Sequence, residues 1–348
     1  MRCERDRITM IAGALIALSC LCCHKVKSVN QLIETNIKYQ ALAEQTLIVG
    51  TSSSITIART RSSGTVRIDE ATSREPGVVE ITANHGHLLE VAAKTPGASK
   101  ILIDASSPES ANRRFVVNLE VLEATGIELS YCGAYPSSTG VVYLHGFPAK
   151  VHYTYMDDLG PIRDGRASGI WPTPPSVRPA EAAKPSALAP GRNEFLLDIP
   201  SSQQTPFEVI APSIAEGEQT STIEITPVSS ASVDALRLGL STKQVIDKVQ
   251  PLEIAFLANE KLVCSVIPFS VKVETPQHCE LLARDGTAAK QLEVRDSQMP
   301  WVRFLDAGIC DLSVSATIPA VDEEGGKARV LSDRVEIMGY IPSDDLPR

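Results

Sequence analysis

The chain has 348 residues, of which 43% are hydrophobic and 22% charged, and its formal net charge is −9. At about 100 to 200 residues per domain, this length predicts two or three domains, each large enough to bury a core. The acidic balance and the lack of a basic cluster argue against a nucleic-acid partner, because nucleic-acid-binding proteins place cationic side chains against phosphates.

The N-terminus carries the pattern of a cleaved export signal. Three arginines within the first seven residues precede an apolar run from Ile8 to Leu18. This run is shorter than the roughly 20 residues that a membrane-spanning helix needs. A basic start and a short apolar centre followed by small residues are typical of signal peptides. We therefore predict an export signal over residues 1–19, with an uncleaved N-terminal anchor helix as the alternative.

The stretch Ala17–Cys20 (Ala-Leu-Ser-Cys) resembles the lipobox of bacterial lipoproteins, in which the cysteine becomes a lipid-carrying N-terminus. The resemblance implies a mature chain that begins at Cys20 and is attached to a membrane, because more than one buried acyl chain gives stable anchoring. It implies a cell-envelope lipoprotein of the outer membrane or cell surface, with residues 20–44 as a tether. Ordinary secretion after the same cut, and a short amphipathic helix over 24–44, are the alternatives.

From residue 45 onward, short strands alternate with turns. Polar and apolar residues alternate in five runs separated by Gly, Pro and Asn, at residues 54–57, 65–68, 79–82, 101–104 and 115–121. Short alternating runs at this spacing predict an antiparallel β-sandwich over residues 45–124. No helix-length periodic segment interrupts the pattern.

The order of features in this region resembles that of the bacterial Ig-like repeats of surface proteins and adhesins. Gly77–Ile81 and Leu89–Val91 form a "value, turn, value" hairpin, and Pro96–Ile101 follows as the Gly-containing corner. The resemblance implies an all-β fold of tandem Ig-like antiparallel β-sandwiches. It also implies a structural and interaction role, similar to adhesion, for a protein at the cell surface.

Residues 125–230 predict a further β-sandwich, with strand-like runs at 141–144, 151–155, 194–198 and 221–226. Seven prolines lie between Pro161 and Pro190. Since proline interrupts strands, residues 161–190 are expected to form a long surface loop. Binding concentrates on loops carried by rigid scaffolds, so any ligand is expected at this middle region.

Aromatic residues concentrate in the same region, where five of the seven tyrosines lie between positions 131 and 155. Aromatic side chains with polar tips are favoured at protein and sugar recognition surfaces. The candidate ligand-binding residues, for a protein or a glycan, are therefore Tyr143, Tyr153, Tyr155 and Trp171. Packing inside the sandwich is nevertheless the favoured interpretation of these rings, because positions 153 and 155 share one strand face, as core residues would.

The C-terminal third repeats the pattern of the first sandwich. Gly97–Ala105 aligns without gaps with Gly308–Ala316, and the apolar positions two apart agree. The alignment predicts an Ig-like sandwich over residues 231–342, opened by a hairpin over 252–264.

No motif predicts catalysis, a metal site or a cofactor. The G-x-S-x-G nucleophile elbow is missing, and nothing marks a serine partner for His145 or His152. The His85–His87 turn and the acidic stretches at 157–158 and 322–326 lack the ligand spacing of dedicated zinc or calcium sites. We therefore expect a protein that is not an enzyme and that needs no cofactor.

Four cysteines lie beyond the first 23 residues, and an exported protein retains disulfides. Four cysteines allow three pairings. Cys279 and Cys310 both enter strands of the C-terminal sandwich, which predicts a bridge between them. Cys264 is the competitor for either one, and Cys132 would then be unpaired or would reach across a domain boundary.

Overall fold

A computed structural model describes residues 39–59, 66–107, 110–132, 139–188, 190, 193–214, 220–239, 243–246, 249–283, 285–297, 299–319 and 328–340. The predicted signal, the lipidation site Cys20, most of the tether and the acidic stretch at 322–326 lie outside these residues. The described chain is built of β-strands and two short 3-10 helices, as the predicted all-β class requires. No helix in this part of the chain is long and apolar enough to cross a membrane.

The first sandwich consists of two four-stranded sheets with the strand orders β1-β3-β6-β5 and β2-β8-β7-β4. Its first strand is divided, so that β1 joins one sheet and β2 runs parallel to β8 in the other. Apolar residues alternate with polar ones along the strands and fill the space between the sheets, which is the Ig-like arrangement. The strands are β1 Tyr39–Leu42, β2 Thr46–Ile48, β3 Ser52–Arg59, β4 Arg67–Ser73, β5 Val79–Asn84, β6 Leu89–Ala93, β7 Gly97–Ser107 and β8 Ser110–Leu122.

The middle region has its own buried core between a sheet of order β12-β11-β15-β14, to which β9 adds on β11, and the sheet β13-β16-β17. The two 3-10 helices are Ile162–Gly165 and Ser230–Ser232. The strands are β9 Gly126–Tyr131, β10 Val141–Leu144, β11 Pro148–Asp157, β12 Gly160–Pro161, β13 Ser176–Arg178, β14 Lys184–Pro185, β15 Glu194–Asp198, β16 Phe207–Ile210, β17 Thr222–Ile225 and β18 Pro227–Val228.

The third sandwich pairs a sheet of order β20-β30-β29-β24-β27 with a sheet of order β21-β28-β25-β26. As in the first sandwich, a short early strand, here β20, runs parallel to the last strand. The strands of this part of the chain are β19 Val233–Gly239, β20 Lys243–Val245, β21 Val249–Pro251, β22 Glu253–Ala258, β23 Lys261–Val263, β24 Phe269–Val273, β25 Cys279–Leu282, β26 Ala288–Ala289, β27 Gln291–Val294, β28 Trp301–Phe304, β29 Gly308–Ile318 and β30 Arg329–Tyr340.

The predicted repeat between the first and third sandwiches holds in three dimensions. Ile101 on β7 lies opposite Ser73, and Leu312 on β29 lies opposite the corresponding Val273. The corner glycines also agree, since Gly97 has a φ of 144° and Gly308 a φ of 145°. Few residues other than glycine adopt that conformation, so both corners require it.

A five-stranded sheet of order β18-β10-β23-β22-β19 joins the middle region to the third sandwich. The hairpin predicted to open the third sandwich belongs to this sheet instead. Ile254 and Phe256 on β22 enter the core of the third sandwich, whereas Ala255 and Leu257 enter the core of the middle region. One strand therefore serves two cores. The predicted domain bounds remain a prediction, but strands from both sides of residue 230 share this sheet.

The first and third sandwiches also pack against each other, so the sandwiches are not simply strung in a row. Ala58 of β3 lies in one buried cluster with Val249 and Leu282 of the third sandwich. The Gln40 side chain hydrogen-bonds the backbone of Val249, accepting from its N–H at 3.1 Å. These contacts fix one face of the first sandwich against the third.

Candidate functional site

The predicted aromatic ligand-binding set is not a surface. Tyr143, Tyr153 and Tyr155 are 2%, 2% and 0% exposed, and Trp171 is half-buried. The tyrosine rings point into the middle core, where Tyr153 packs edge-on to Tyr155 at 5.3 Å and lies 4.4 Å from Phe195. Aromatic rings can stack on a sugar only where their faces are exposed. The expectation that these residues bind a ligand is therefore wrong for the three tyrosines.

The hydroxyl groups of two of these tyrosines hold a neighbouring segment in place. Tyr153 and Tyr155 both donate hydrogen bonds to the carbonyl oxygen of Gly169, each at 2.8 Å. Burial raises the pKa of the Tyr155 hydroxyl well above its usual range, so that this phenol stays protonated and remains a donor. The tyrosines therefore have a structural role.

The segment at residues 161–190 is more ordered than the predicted surface loop. Ile162, Ala182 and Ala183 belong to the middle core, and short strands within the segment pair with β11, β15 and β16. Ser168 exchanges backbone hydrogen bonds with the first sandwich, accepting from Ile48 at 3.2 Å and donating to Thr46 at 2.9 Å. Deleting this segment would remove core packing, so the expectation that residues 161–190 form a surface loop is wrong for these buried parts.

A charged cluster lies where the middle sheet meets the third sandwich. The imidazole Nε2 of His152 lies 2.9 Å from Glu194 Oε1. Burial pushes the pKa of Glu194 up, but hydrogen bonds with His152 and Ser297 and the charge of Lys150 outweigh it and leave that pKa below its usual value. Burial lowers the pKa of Lys150. The cluster therefore holds an ionised carboxylate between a histidine and a serine.

This order of groups differs from that of a nucleophilic triad. In a triad the histidine lies between the serine and the acid, so that it can take the serine proton. Here Glu194 lies between His152 and Ser297. The other candidate base, His145, is buried. The geometry of the cluster therefore favours an electrostatic contact between the middle sheet and the third sandwich over a catalytic triad.

The remaining candidate metal ligands are separated or engaged elsewhere. His85 pairs with Glu90 at 3.3 Å, and the Nδ1 of His87 lies 3.0 Å from the Val66 carbonyl oxygen. Asp157 accepts a hydrogen bond from the backbone of Leu159 in a turn. Within the part of the chain that the structure describes, no group of three or more His, Cys, Asp or Glu is placed to hold a metal ion.

Two disulfides cross-link the described chain. Cys279 and Cys310, the pair that the sequence favours, are bridged with a Cα–Cα distance of 5.6 Å. This bond joins β25 in one sheet of the third sandwich to β29 in the other. Cys132 is bridged to Cys264, with a Cα–Cα distance of 5.5 Å, and so reaches across the predicted boundary at residue 230.

An open groove of about 590 Å³ lies on the outward face of the third sandwich, over β24, β27, β29 and β30. Its lining is polar and rich in serine. We call it the polar groove and define it by Ser270, Lys272, Gln291, Ser313, Ser315, Ser332 and Arg334. Sequence reasoning missed it. The available signal was the pair Ser313 and Ser315, two positions apart on one strand, with the buried Val314 between them.

The cations of the polar groove are held by neighbouring carboxylates. Lys272 Nζ donates to Glu274 Oε2 at 2.7 Å, and Arg334 Nε donates to Asp311 Oδ1 at 2.8 Å. The hydrogen bond from Arg334 holds the pKa of Asp311 below its usual range, and that from Lys272 does the same for the pKa of Glu274. Both carboxylates are therefore charged at neutral pH, and each offsets one cation of the groove.

No protein-family model matches the chain, and no curated protein matches it. Among solved structures, domains 4–9 of surface layer protein SbsC are 13% identical with a TM-score of 0.29; the match covers 87% of this chain and 47% of that one, so this chain spans about half its length. Fibronectin(III)-like modules of Clostridium thermocellum CbhA are 8% identical with a TM-score of 0.20, over 89% and 98% of the two chains. The Bacteroides ovatus mixed-linkage glucan utilization locus protein SGBP-B, in complex with a mixed-linkage heptasaccharide, is 9% identical with a TM-score of 0.19, over 88% and 71%. Such likeness does not extend to individual side chains, so function is argued from the residues of this chain.

Proposed function

We propose that this protein is a non-catalytic component of the cell envelope, in which Ig-like sandwiches form a structural and interaction body. The observation that carries the proposal is the pair of buried disulfides, Cys132–Cys264 and Cys279–Cys310. Disulfides persist in oxidising compartments outside the cytosol. One bond ties the two sheets of the third sandwich, and the other ties that part of the chain to the middle core. Such cross-links suit a body that keeps its shape outside the cell.

The arrangement of the charged cluster supports a role without catalysis. Ser297 is hydrogen-bonded to Glu194 rather than activated by His152. The side chains of the charged cluster connect the middle sheet to the third sandwich, so their contribution is structural. A peptidase, esterase or glycosidase activity that is lost in both H152A and S297A would contradict this part of the proposal.

Attachment to the membrane through lipid at Cys20 completes the proposal. Its support is the export-signal pattern and the lipobox-like stretch Ala17–Cys20. A chain anchored in this way presents its sandwiches at the envelope surface to a protein or glycan ligand. Secretion without lipid is the alternative if the same cut leaves the cysteine unmodified.

Intact-mass measurement of the protein extracted from envelope membranes, with and without alkylation, tests the lipid anchor and the two disulfides. We expect a mature N-terminus at Cys20 with lipid attached, and cysteines 132, 264, 279 and 310 that react with an alkylating reagent only after reduction. The variant C20A should leave the membrane fraction, whereas the matched control C22A should stay in it. An unmodified Met1 start, or reaction of any of these four cysteines in the native protein before reduction, would overturn the proposal.

A further inference from the structure

The polar groove exists because small side chains occupy a row of an outward sheet face. On the third sandwich, Ser315 of β29 lies opposite Ser332 of β30. The corresponding positions of the first sandwich hold Asp104 and Arg114, which form two hydrogen bonds at 2.8 Å and 2.7 Å. Long, paired side chains therefore cover the first sheet at this place. Two serines leave the same place open on the third.

The neighbouring row borders the opening with longer side chains. Lys272 lies opposite Ser313 on one side and Gln291 on the other, and Ser313 in turn lies opposite Arg334. Long side chains thus stand along one side of the row formed by Ser270, Ser315 and Ser332. The volume of about 590 Å³ lies within the range of about 300–1,000 Å³ of small-molecule sites.

The lining offers hydrogen-bond donors and acceptors close together. Each serine hydroxyl can donate one hydrogen bond and accept others, and an amide group does both. Gln291 Nε2 donates to Ser270 Oγ at 3.1 Å, so these two groups orient one another. Val314, the one apolar residue in the described lining, is 1% exposed and presents almost no surface. A ligand must therefore be recognised by its polar groups.

The charge of the lining is balanced locally. Lys272 is paired with Glu274 and Arg334 with Asp311, so that each cation already has a carboxylate partner. Asp333 is engaged too, because its carboxylate accepts from the backbone N–H of Leu238 at 2.9 Å. A strongly anionic ligand is therefore not needed to supply a partner for any cation in the described lining.

The groove is unsuited to an extended peptide. A peptide that adds to a sheet needs the unpaired backbone of an edge strand. Here the central strands β24 and β29, which carry most of the lining, each have a neighbour on both sides. Peptides also bind through apolar or aromatic anchors that fill pockets. The described lining offers no exposed apolar pocket for such an anchor.

We propose that the polar groove is a binding site for a neutral polysaccharide, whose hydroxyls exchange hydrogen bonds with Ser270, Ser313, Ser315, Ser332 and Gln291. The site takes one short stretch of the sugar chain, which lies across the four strands. This assignment rests on the proposed function, a non-catalytic binding role at the envelope, and it moves the sugar site from the middle region to the third sandwich.

The test is affinity electrophoresis of the full mature chain in native gels that contain dextran, galactomannan or xyloglucan. We expect retardation by at least one of these neutral polysaccharides. The variant S315D/S332R, which copies the covering ion pair of the first sandwich, should raise the dissociation constant at least about tenfold because the opening is filled. S315A/S332A, which preserves the space, should weaken binding by about three- to tenfold through the lost hydrogen bonds.

The matched control is D104S/R114S, which uncovers the first sandwich at the corresponding positions and should leave the retardation of the wild type unchanged. Thermal melting of each variant establishes that it folds. If S315D/S332R does not fold, the retardation of S315A/S332A alone tests the proposal.

Three results would overturn the proposal: no retardation in any neutral gel, retardation only by anionic polygalacturonate, or retardation that both serine variants retain. Binding of an immobilised peptide library that S315D/S332R abolishes would assign the groove to a peptide and would also overturn it. None of these results affects the mass analysis that tests envelope location and anchoring, so the two proposals fail independently.

Discussion

The first and third sandwiches share a framework but differ in what holds their two sheets together. In the first, the Ser73 hydroxyl donates to the Val79 carbonyl oxygen at 2.6 Å and lies 3.2 Å from the Ser99 hydroxyl. In the third, Cys279 and Cys310 occupy the positions of Val79 and Ser99 and form a disulfide. A small hydrogen-bonded cluster in one sandwich is thus a covalent bond in the other.

The difference extends to the face where the two sandwiches meet. Glu80 lies opposite Ala92 in the first sandwich, whereas Glu280 lies opposite Arg303 in the third. Arg303 is 1% exposed, forms an ion pair with Glu280, and donates to the carbonyl oxygen of Arg59 at 2.8 Å. The two sandwiches keep the same strand register. A single cross-strand pair can therefore differ between them, and in the third sandwich the pair Glu280–Arg303 forms a contact with the first.

The largest effect is expected from R303A, which gives the third sandwich the residue found in the first. Removing one partner of a buried ion pair costs about 3–5 kcal/mol, because Glu280 then remains buried without the guanidinium that pairs with it. The measurement is urea denaturation followed by the fluorescence of Trp301, which lies on the same strand. The control E80Q changes an exposed pair with Lys94 and should alter stability by at most about 1 kcal/mol. Equal effects of the two variants would contradict the prediction.

The disulfide gives the next largest effect. Replacing it in C279V/C310A should lower the unfolding free energy by about 3–4 kcal/mol, since a loop of 31 residues is no longer closed in the unfolded chain. The reverse change, V79C/S99C, should close a bond in the first sandwich and stabilise it by about 3 kcal/mol. Hydrogen exchange of each sandwich, with and without reductant, measures both changes. Failure of V79C/S99C to oxidise would show that the two frameworks differ more than their registers indicate.

Replacing either corner glycine by alanine should destabilise its sandwich, but to different extents. A Cβ at Gly97 would lie 3.3 Å from Val78 Cγ2, whereas one at Gly308 would lie 2.4 Å from the ring of His278. Both G97A and G308A should cost about 1–3 kcal/mol for the backbone conformation alone, with the larger loss at Gly308 because His278 must move. Hydrogen exchange of the two sandwiches measures the losses. The control G77A, which meets nothing within 4 Å, should be nearly neutral.

The smallest expected effects are on the pH dependence of the unfolding free energy, and they have opposite signs in the two sandwiches. Burial raises the pKa of Glu280, whereas the hydrogen bond from Arg114 lowers the pKa of Asp104. The unfolding free energy of the wild type relative to E280Q should therefore rise as pH falls towards 4.5, because the folded state takes up this proton first. Relative to D104N, the unfolding free energy of the wild type should be constant above pH 3.8. Below pH 3.8 it should fall, because protonation of Asp104 breaks the ion pair with Arg114. Urea denaturation across this range measures both, and curves of the same sign would contradict the assignment.

Much of the fold follows from local sequence patterns. The alternation along Gly97–Ala105 and Gly308–Ala316, with glycine at each corner, predicts the strands and their equivalence. The position of β22 in a sheet shared by two cores is harder to predict from the sequence pattern than these strands are. Its run from Glu253 to Ala258 is apolar at nearly every position, which is typical of a strand buried on both faces. Such a run indicates a strand that can be shared by two cores.

The candidate site was the less predictable part. A tyrosine on an alternating strand is compatible with a recognition surface as well as with a core, because its hydroxyl needs only one partner in either place. For Tyr153 and Tyr155 that partner is the carbonyl oxygen of Gly169, a contact that no local pattern encodes. Gly169 in turn lies against Thr51 of the first sandwich, where an added Cβ would be 2.0 Å from the Thr51 hydroxyl oxygen. The polar groove likewise depends on strands that are distant in sequence.

The Cys132–Cys264 bond also determines how the chain responds to mechanical pulling. Tension applied between an anchored N-terminus and the third sandwich would pass from residue 132 directly to residue 264 through the bond. The middle strands between these cysteines would then carry no load, and they could not be drawn out as an extended chain. The oxidised protein therefore has a much shorter maximum extension than the reduced one, mainly because this bond excludes the residues between 132 and 264 from the stretched chain.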